Sequence, residues 1–284
     1  MNAGYFPGCA QKGTSKEYHI SLLKMLETLG LEVPELEDWN CCGATSAHAI
    51  NQRLALALPL RNLSLAEEAG YAELLAPCAA CFSRLSYAHK RVQEEPALGD
   101  EISQIIQRPY QGTVKVTNLL EFIHNHCLGI IRKRLVRPLS GLRLAPYYGC
   151  LLLRPPQVAR FDDPEEPTTM EEIIAAVGAV AVDWPHKIEC CGGGFSMSHT
   201  EAVLRLSGAV LEDARANRAD ALVTACPMCH SNLDMRQRQI EAKRGEKFGL
   251  PILFISEVVG AALGLKPEGL GLKRHFVPAL EVLG

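Results

Sequence analysis

The sequence predicts an α/β protein built of two pseudo-symmetric, internally duplicated Rossmann-like units with parallel sheets. Three observations carry this expectation. Short aliphatic runs alternate with helical periodicities along the chain. The same cysteine-bearing segments occur twice in the same order. The length, 284 residues with 48% hydrophobic, suits one large domain or two of ordinary size.

The duplication is explicit. Tyr5-Phe6-Pro7-Gly8-Cys9 matches Pro146-Tyr147-Tyr148-Gly149-Cys150, and Asp38-Trp39-Asn40-Cys41-Cys42-Gly43 matches Lys187-Ile188-Glu189-Cys190-Cys191-Gly192. Ala76-Pro77-Cys78-Ala79-Ala80-Cys81 matches Thr224-Ala225-Cys226-Pro227-Met228-Cys229. Between Cys9 and Cys41 lie 31 residues, and between Cys150 and Cys190 lie 39; the later gaps, Cys42 to Cys78 and Cys191 to Cys226, are 35 and 34. Matched order and spacing imply two homologous halves, 1–140 and 141–284, joined near Arg137–Gly141, where Pro138, Ser140 and Gly141 punctuate the chain.

In the first half, Ala3–Phe6 reads as a strand. A helix follows over Ser15–Leu29, with Tyr18, Leu22, Met25, Leu26 and Leu29 at helical spacing and Gly30 as its stop. Leu31–Leu36 reads as a short strand. Ser46–Ala69 reads as a long helix bent at Pro59, Ala72–Ala76 as a strand, and the chain after Cys81 as helix. In the second half, Leu142–Tyr147 is a strand, and Thr168-x-x-Glu171 is a capping-box signal opening a helix. Ala179–Asp183, Ala221–Ala225 and Pro251–Ile255 read as strands. Helices are expected over His199–Asn217, after Cys229, and last over Ser256–Leu263.

This reading places the cysteines. Cys9, Cys78, Cys150 and Cys226 directly follow strands, and the pairs Cys41-Cys42 and Cys190-Cys191 lie just past another. Loops at the carboxyl ends of parallel strands converge on one edge, where ligands bind. Helices begin just after these loops, and their N-termini favour thiolates and anionic groups. Each half is thus expected to gather five thiols at one sheet edge.

Composition narrows the function. A net charge of −3 implies no general attraction to nucleic acid or anionic membrane. The start, MNAGYFPGC, lacks the pattern of a secretory signal. The longest small-and-apolar stretch, Ile173–Val182, is too short to span a bilayer. A soluble cytoplasmic protein is the expectation. In a reducing compartment, eleven cysteines read as metal ligands or redox centres rather than structural disulfides.

Five thiols per half exceed the four of a closed structural zinc site. A thioredoxin-like dithiol would explain only the Cys-x-x-Cys pairs. An ordinary cubane cluster would use four of the five. A cluster with more attachment points would use all of them, because adjacent cysteines can bind different irons or bridge irons. Glycine after each pair lets backbone approach inorganic sulfide closely. The cubane and the larger attachment set both stand as readings of the spacing.

The pattern Cys-x(31–39)-Cys-Cys-x(34–35)-Cys-x-x-Cys, with glycine after the pair, resembles the CCG-domain family. Two complete copies resemble the B subunits of heterodisulfide reductases, most closely in Tyr148-Gly149-Cys150, Cys190-Cys191-Gly192-Gly193-Gly194 and Cys226-Pro227-Met228-Cys229-His230. The resemblance implies a noncubane [4Fe-4S] cluster on Cys9, Cys41, Cys42, Cys78 and Cys81. It implies a second on Cys150, Cys190, Cys191, Cys226 and Cys229. A disulfide would be split between the two clusters, with electrons arriving from a ferredoxin-like iron–sulfur subunit and ultimately a flavoprotein. Reducing a disulfide takes two electrons and a cluster usually passes one, so two flanking clusters suit that chemistry. The resemblance also extends to electron-transfer subunits of flavin-dependent dehydrogenases acting on lactate, glycolate, succinate or fumarate. A relay without its own substrate is therefore the alternative.

Other residues carry weaker signals. Cys127 has no counterpart in the second half and reads as a buried free thiol in a helix. His124 and His126 beside it, two apart on a helix, do not share a face. His48 and His199 follow the two Cys-Cys-Gly loops and are candidate proton donors, as is His230 after Cys229; the plain reading is a locally bonded histidine. Arg132-Lys133-Arg134, with Arg137 and Arg143, is either a solvated surface or a dock for an acidic partner. Asp162-Asp163-Pro164-Glu165-Glu166 reads as an exposed loop.

Overall fold

Among the described residues, seven short strands form two wholly parallel sheets, one in each half of the chain. In the computed structural model, which describes residues 2–44 and 46–284, the first sheet contains β1 (Ala3–Tyr5), β2 (Glu73–Leu75) and β3 (Lys115–Thr117) in the order β1-β2-β3. Tyr5 pairs with Leu75, and Leu75 with Thr117. The second contains β4 (Arg143–Tyr147), β5 (Val180–Ala181), β6 (Ala221–Thr224) and β7 (Ile252–Phe254) in the order β5-β4-β6-β7. Residues of β1, β6 and β7 are buried without alternation, as expected of parallel strands covered on both faces.

The two halves correspond strand for strand: β1 with β4, β2 with β6, β3 with β7. The place of β5 is held in the first half by Glu35, through a single parallel bridge to Tyr5. The expected strand Leu31–Leu36 is thus only that bridge. The Tyr5 N–H donates to the Pro34 carbonyl and Leu36 N–H to the Tyr5 carbonyl, while Pro34 itself has no N–H to extend a ladder. The expected strand Ala179–Asp183 is likewise only the two residues of β5.

The Lys16–Leu29 helix ends at Gly30 with φ of 75°, as its sequence signals. The expected helix Ser46–Ala69 is two pieces, Ala47–Ile50 and Gln52–Glu68. The break falls at Asn51, which takes an extended conformation and accepts the Leu54 N–H on its side chain. Pro59 lies within the second, continuous piece. The Thr168 start is correct, but its capping box does not form. Instead the Asp162 carboxylate accepts the N–H groups of Thr168 and Thr169, and Glu171 receives the Tyr148 hydroxyl and Lys187. Tertiary partners have replaced the local cap.

Several elements go beyond those expected from the sequence: the helix Pro96–Ile106, strand β3, and a C-terminal series beyond Ala262 comprising Pro267–Leu270, Leu272–Arg274 and Leu280–Leu283. The β-branched alternation at Thr113–Thr117, followed by Asn118 as an N-cap, is a readable signal for β3.

The halves clasp each other reciprocally. The helix after β7, Ile255–Ala262, packs on Lys16–Leu29 of the first half, where the hydroxyls of Ser21 and Ser256 lie 2.7 Å apart in the interior. The segment after β3 packs on Thr169–Ala176 of the second half, where His124 meets Glu172 at 2.9 Å. Each half therefore lends the helical segment after its last strand to cover a helix of the other.

Candidate functional site

Three loops build each five-thiol set, two of them at the carboxyl ends of strands and the third, the Cys-Cys loop, beyond the Glu35 bridge in the first half and beyond β5 in the second. After β1 the chain turns through Gly8 (φ 67°) into Cys9; after β4 it turns through Gly149 (φ 65°) into Cys150. A Cβ on Gly8 would stand 2.9 Å from the Cys81 sulfur, and one on Gly149 would stand 3.1 Å from that of Cys229. Both positions therefore require glycine for conformation and for space.

The Cys-Cys loops are held from behind. Buried Asn62 bonds Asn40 in both directions, at 2.8 and 3.0 Å. In the second half, Ser207 donates to the Cys191 carbonyl at 2.9 Å and Tyr147 to the Glu189 carbonyl at 2.6 Å. Gly43 N–H reaches the Cys41 sulfur at 3.5 Å, and Gly192 N–H reaches that of Cys190 at 3.3 Å. Cys78 and Cys226 are the N-cap residues of Ala79–Glu94 and Pro227–Asp234, with Cys81 and Cys229 in the first turns. The thiols thus face helix N-termini, whose partial positive charge favours thiolate.

The sulfurs converge without bonding. Cys42 and Cys81 are 3.3 Å apart, Cys191 and Cys229 3.6 Å, and Cys150 and Cys190 3.8 Å. A disulfide is about 2.0 Å, and all eleven cysteines are free. Two sulfurs at about 2.3 Å from one tetrahedral metal ion stand about 3.8 Å apart, so the spacing suits thiolates that share metal. Hydrogen bonds from Cys41 and Cys81 push Cys42 down to about 4. A bond from Cys150 holds Cys190 down at about 6. Bonds from Cys229 and Cys78 hold Cys226 well below the thiol range, while the same thiol–thiol bonds push Cys41, Cys78, Cys81, Cys150 and Cys229 up, so one thiol of each close pair is favoured as thiolate. The donor set, with its glycine clearance and backbone N–H groups, fits an anionic metal cluster in each half.

The two sets lie side by side. The neighbouring Cys226 thiol raises Cys78. Ala79 of the first half lines the cavity formed by the second set, beside Tyr148, Leu151 and Met228. The buried Tyr18 hydroxyl spans the junction, 3.4 Å from the Pro77 carbonyl and 3.2 Å from that of Ala225, the residues just before Cys78 and Cys226. Its ring stacks on Phe254 at 4.1 Å, and Phe254 stacks on His230 at 4.1 Å. In the sequence Tyr18 is legible only as a core position of its helix, because its partners are distant along the chain.

The remaining candidates fall elsewhere. His48 and His199 are exposed and line separate surface pockets that contain no cysteine. His230 is buried, its Nε2 3.0 Å from the Ile252 carbonyl. Cys127 lies apart from both sets in a π-helical turn, pushed up to about 12 by burial. His124 and His126 diverge to Glu172 and Glu73. In the basic run, Arg134, Arg137 and Arg143 bond backbone carbonyls of Thr28, Leu283 and Arg218, leaving Arg132 and Lys133 exposed.

The family model for a cysteine-rich domain, CCG, matches residues 3–86 and 144–234, the segments that carry the two thiol sets. The chain belongs to the CCG cysteine-rich domain family. An 8-methylmenaquinol:fumarate reductase membrane anchor subunit of Wolinella succinogenes is 30% identical over 281 residues, 98% of each chain. The B subunit of a ferredoxin/F(420)H(2)-dependent CoB-CoM heterodisulfide reductase of Methanosarcina acetivorans is 29% identical over 264 residues, 91% of this chain and 88% of that one. A hypothetical protein from Helicobacter pylori has a similar crystal structure, with a TM-score of 0.79 at 14% identity; the match covers 98% of this CCG chain and 52% of that one. That likeness bears on the fold. Among the described residues, no helix of this CCG protein is long and apolar enough to cross a membrane.

Proposed function

We propose that this chain is the iron–sulfur subunit of a heterodisulfide reductase-like complex, reducing or forming a disulfide or other sulfur–sulfur bond between two noncubane [4Fe-4S] clusters. Residues 1–140 would hold one cluster through Cys9, Cys41, Cys42, Cys78 and Cys81. Residues 141–284 would hold the other through Cys150, Cys190, Cys191, Cys226 and Cys229. The observation that carries the reading is the adjacency of the two sets, whose Cys78 and Cys226 loops are spanned by the Tyr18 hydroxyl, 3.4 Å from the Pro77 carbonyl and 3.2 Å from that of Ala225. When bound, such clusters supply one-electron transfer and iron that takes up sulfur. Cleaving one disulfide consumes two electrons and two protons and yields two thiols, so paired one-electron sites match the stoichiometry. The chain's own part is to gather five cysteines in each half, to keep Cys42, Cys78, Cys81, Cys191, Cys226 and Cys229 away from water, and to fix the distance between halves through Tyr18. A ferredoxin-like iron–sulfur subunit and a flavoprotein are the proposed electron-delivering partners.

A second reading, an electron-transfer subunit of a flavin-dependent dehydrogenase of the succinate or fumarate type, rests on the Wolinella relative's coverage of the whole chain. Iron and sulfide analysis of anaerobically purified protein is expected to give about eight irons per chain under either reading. Stoichiometric zinc with little iron would remove both. Disulfide-dependent reoxidation of the reduced protein separates them, being expected for the first and absent for the second.

A further inference from the structure

Outside the two cysteine sets, His230, Asp234 and His275 place ligand atoms within 4.8 Å of one another. His230 and Asp234 are four residues apart on the Pro227–Asp234 helix and so share a face. His275 arrives from the C-terminal segment. Asp234 is 2% exposed and His230 4% exposed, and the His275 side chain is fully buried.

Each of the three is oriented from its far side. His275 Nε2 lies 2.8 Å from the buried Glu257 carboxylate, while its Nδ1 is buried with no hydrogen-bond partner. His230 Nε2 faces the Ile252 carbonyl at 3.0 Å, which fixes its hydrogen there and leaves Nδ1 as a bare lone pair. The Asp234 oxygens accept the N–H groups of Phe276 and Val277 at 2.8 and 2.9 Å, pinning the strand of chain that presents His275. A metal-binding histidine commonly donates one ring N–H to a carboxylate or carbonyl and offers the other nitrogen to the ion. Both histidines here are arranged that way, and an orphaned nitrogen in a dry interior is costly unless something meets it.

Asp234 and Glu257 are buried carboxylates; among the described residues neither is paired with a lysine or arginine, and Glu257 is paired with His275.

We infer that His230, Asp234 and His275 form a mononuclear site for a divalent transition-metal ion, zinc being the ion that a set of two imidazoles and a carboxylate suits. Three protein ligands leave a fourth position for water. The site contains no sulfur and is distinct from both thiol sets. It ties the C-terminal segment to the helix that carries Cys226 and Cys229.

The test uses the full chain, purified anaerobically with its iron–sulfur content intact, supplied with zinc and then dialysed. The expected result is one zinc per chain, whose X-ray absorption spectrum shows only nitrogen and oxygen neighbours at about 2.0–2.1 Å. A sulfur shell near about 2.3 Å would mean zinc in a cysteine set and would overturn the inference, as would the absence of bound zinc. His275→Gln is expected to lose the zinc while keeping its iron; retention of zinc by the folded variant would also overturn it. If that variant does not fold, the spectrum of the unmutated protein decides alone.

Discussion

Gly149 stands so close to Cys229 that a Cβ added to it would lie 3.1 Å from the sulfur, with the backbone held at a φ of 65°. Gly8 and Cys81 repeat the relationship in the first half. Gly149→Ala is therefore expected to strain the loop that aims Cys150 and to displace Cys229 at once. The measurable outcome is loss of iron from the second set with the first retained, and Gly8→Ala should give the converse. Unchanged iron in both variants would show that the close approach is not needed for metal binding.

If all five thiols of a set are ligands, either member of Cys190-Cys191 or of Cys41-Cys42 is indispensable. Serine at any of the four should abolish the native electron paramagnetic resonance signal of that half or convert it to that of a simpler cluster. Cys127→Ser is the control, because that thiol is buried, pushed up by its burial and apart from both sets. A dispensable cysteine in each pair would mean ordinary cubanes and would favour the relay reading.

The Tyr18 hydroxyl bonds the carbonyls that precede Cys78 and Cys226, while its ring is buried against Phe254. Tyr18→Phe keeps the ring and removes the bridge, so a stability loss of about 1 kcal/mol is expected. Tyr18→Ala also leaves a cavity and should cost about 3–5 kcal/mol. Denaturant midpoints of the two variants check the order. Equal losses would mean that the ring contributes nothing beyond the hydroxyl.

Ser21 and Ser256 exchange a buried hydrogen bond across the two halves. Removing one partner strands the other, so Ser21→Ala should destabilise by about 1–3 kcal/mol. The double replacement by alanine should cost less than the sum of the singles. Additive effects in a double-mutant cycle would indicate that the two halves do not depend on this contact.

The duplication is legible because it is written in local order: each cysteine segment sits just past a strand, and strand–helix alternation is carried by neighbours in sequence. The converging thiols and the parallel sheets follow from that reading. Local reasoning fails where a distant group supplies what a nearby one is expected to supply. Asp162 caps the helix that Thr168 signals, and Asn51 interrupts a helix whose periodicity continues through it. Strand β3 is missed although its β-branched run at Thr113–Thr117 and the Asn118 N-cap after it are local signals.

Residue type and spacing along single segments are enough to define the two thiol sets, the strand ends on which they sit and the family of the chain. They do not tell that the two sets lie side by side, that Tyr18 bridges the loops before Cys78 and Cys226, or that His275 lies beside His230 and Asp234. Those contacts belong to the folded molecule, since they join residues as many as 207 positions apart and no local propensity encodes them. They exist because each half covers a helix of the other, burying apolar surface that neither could bury alone.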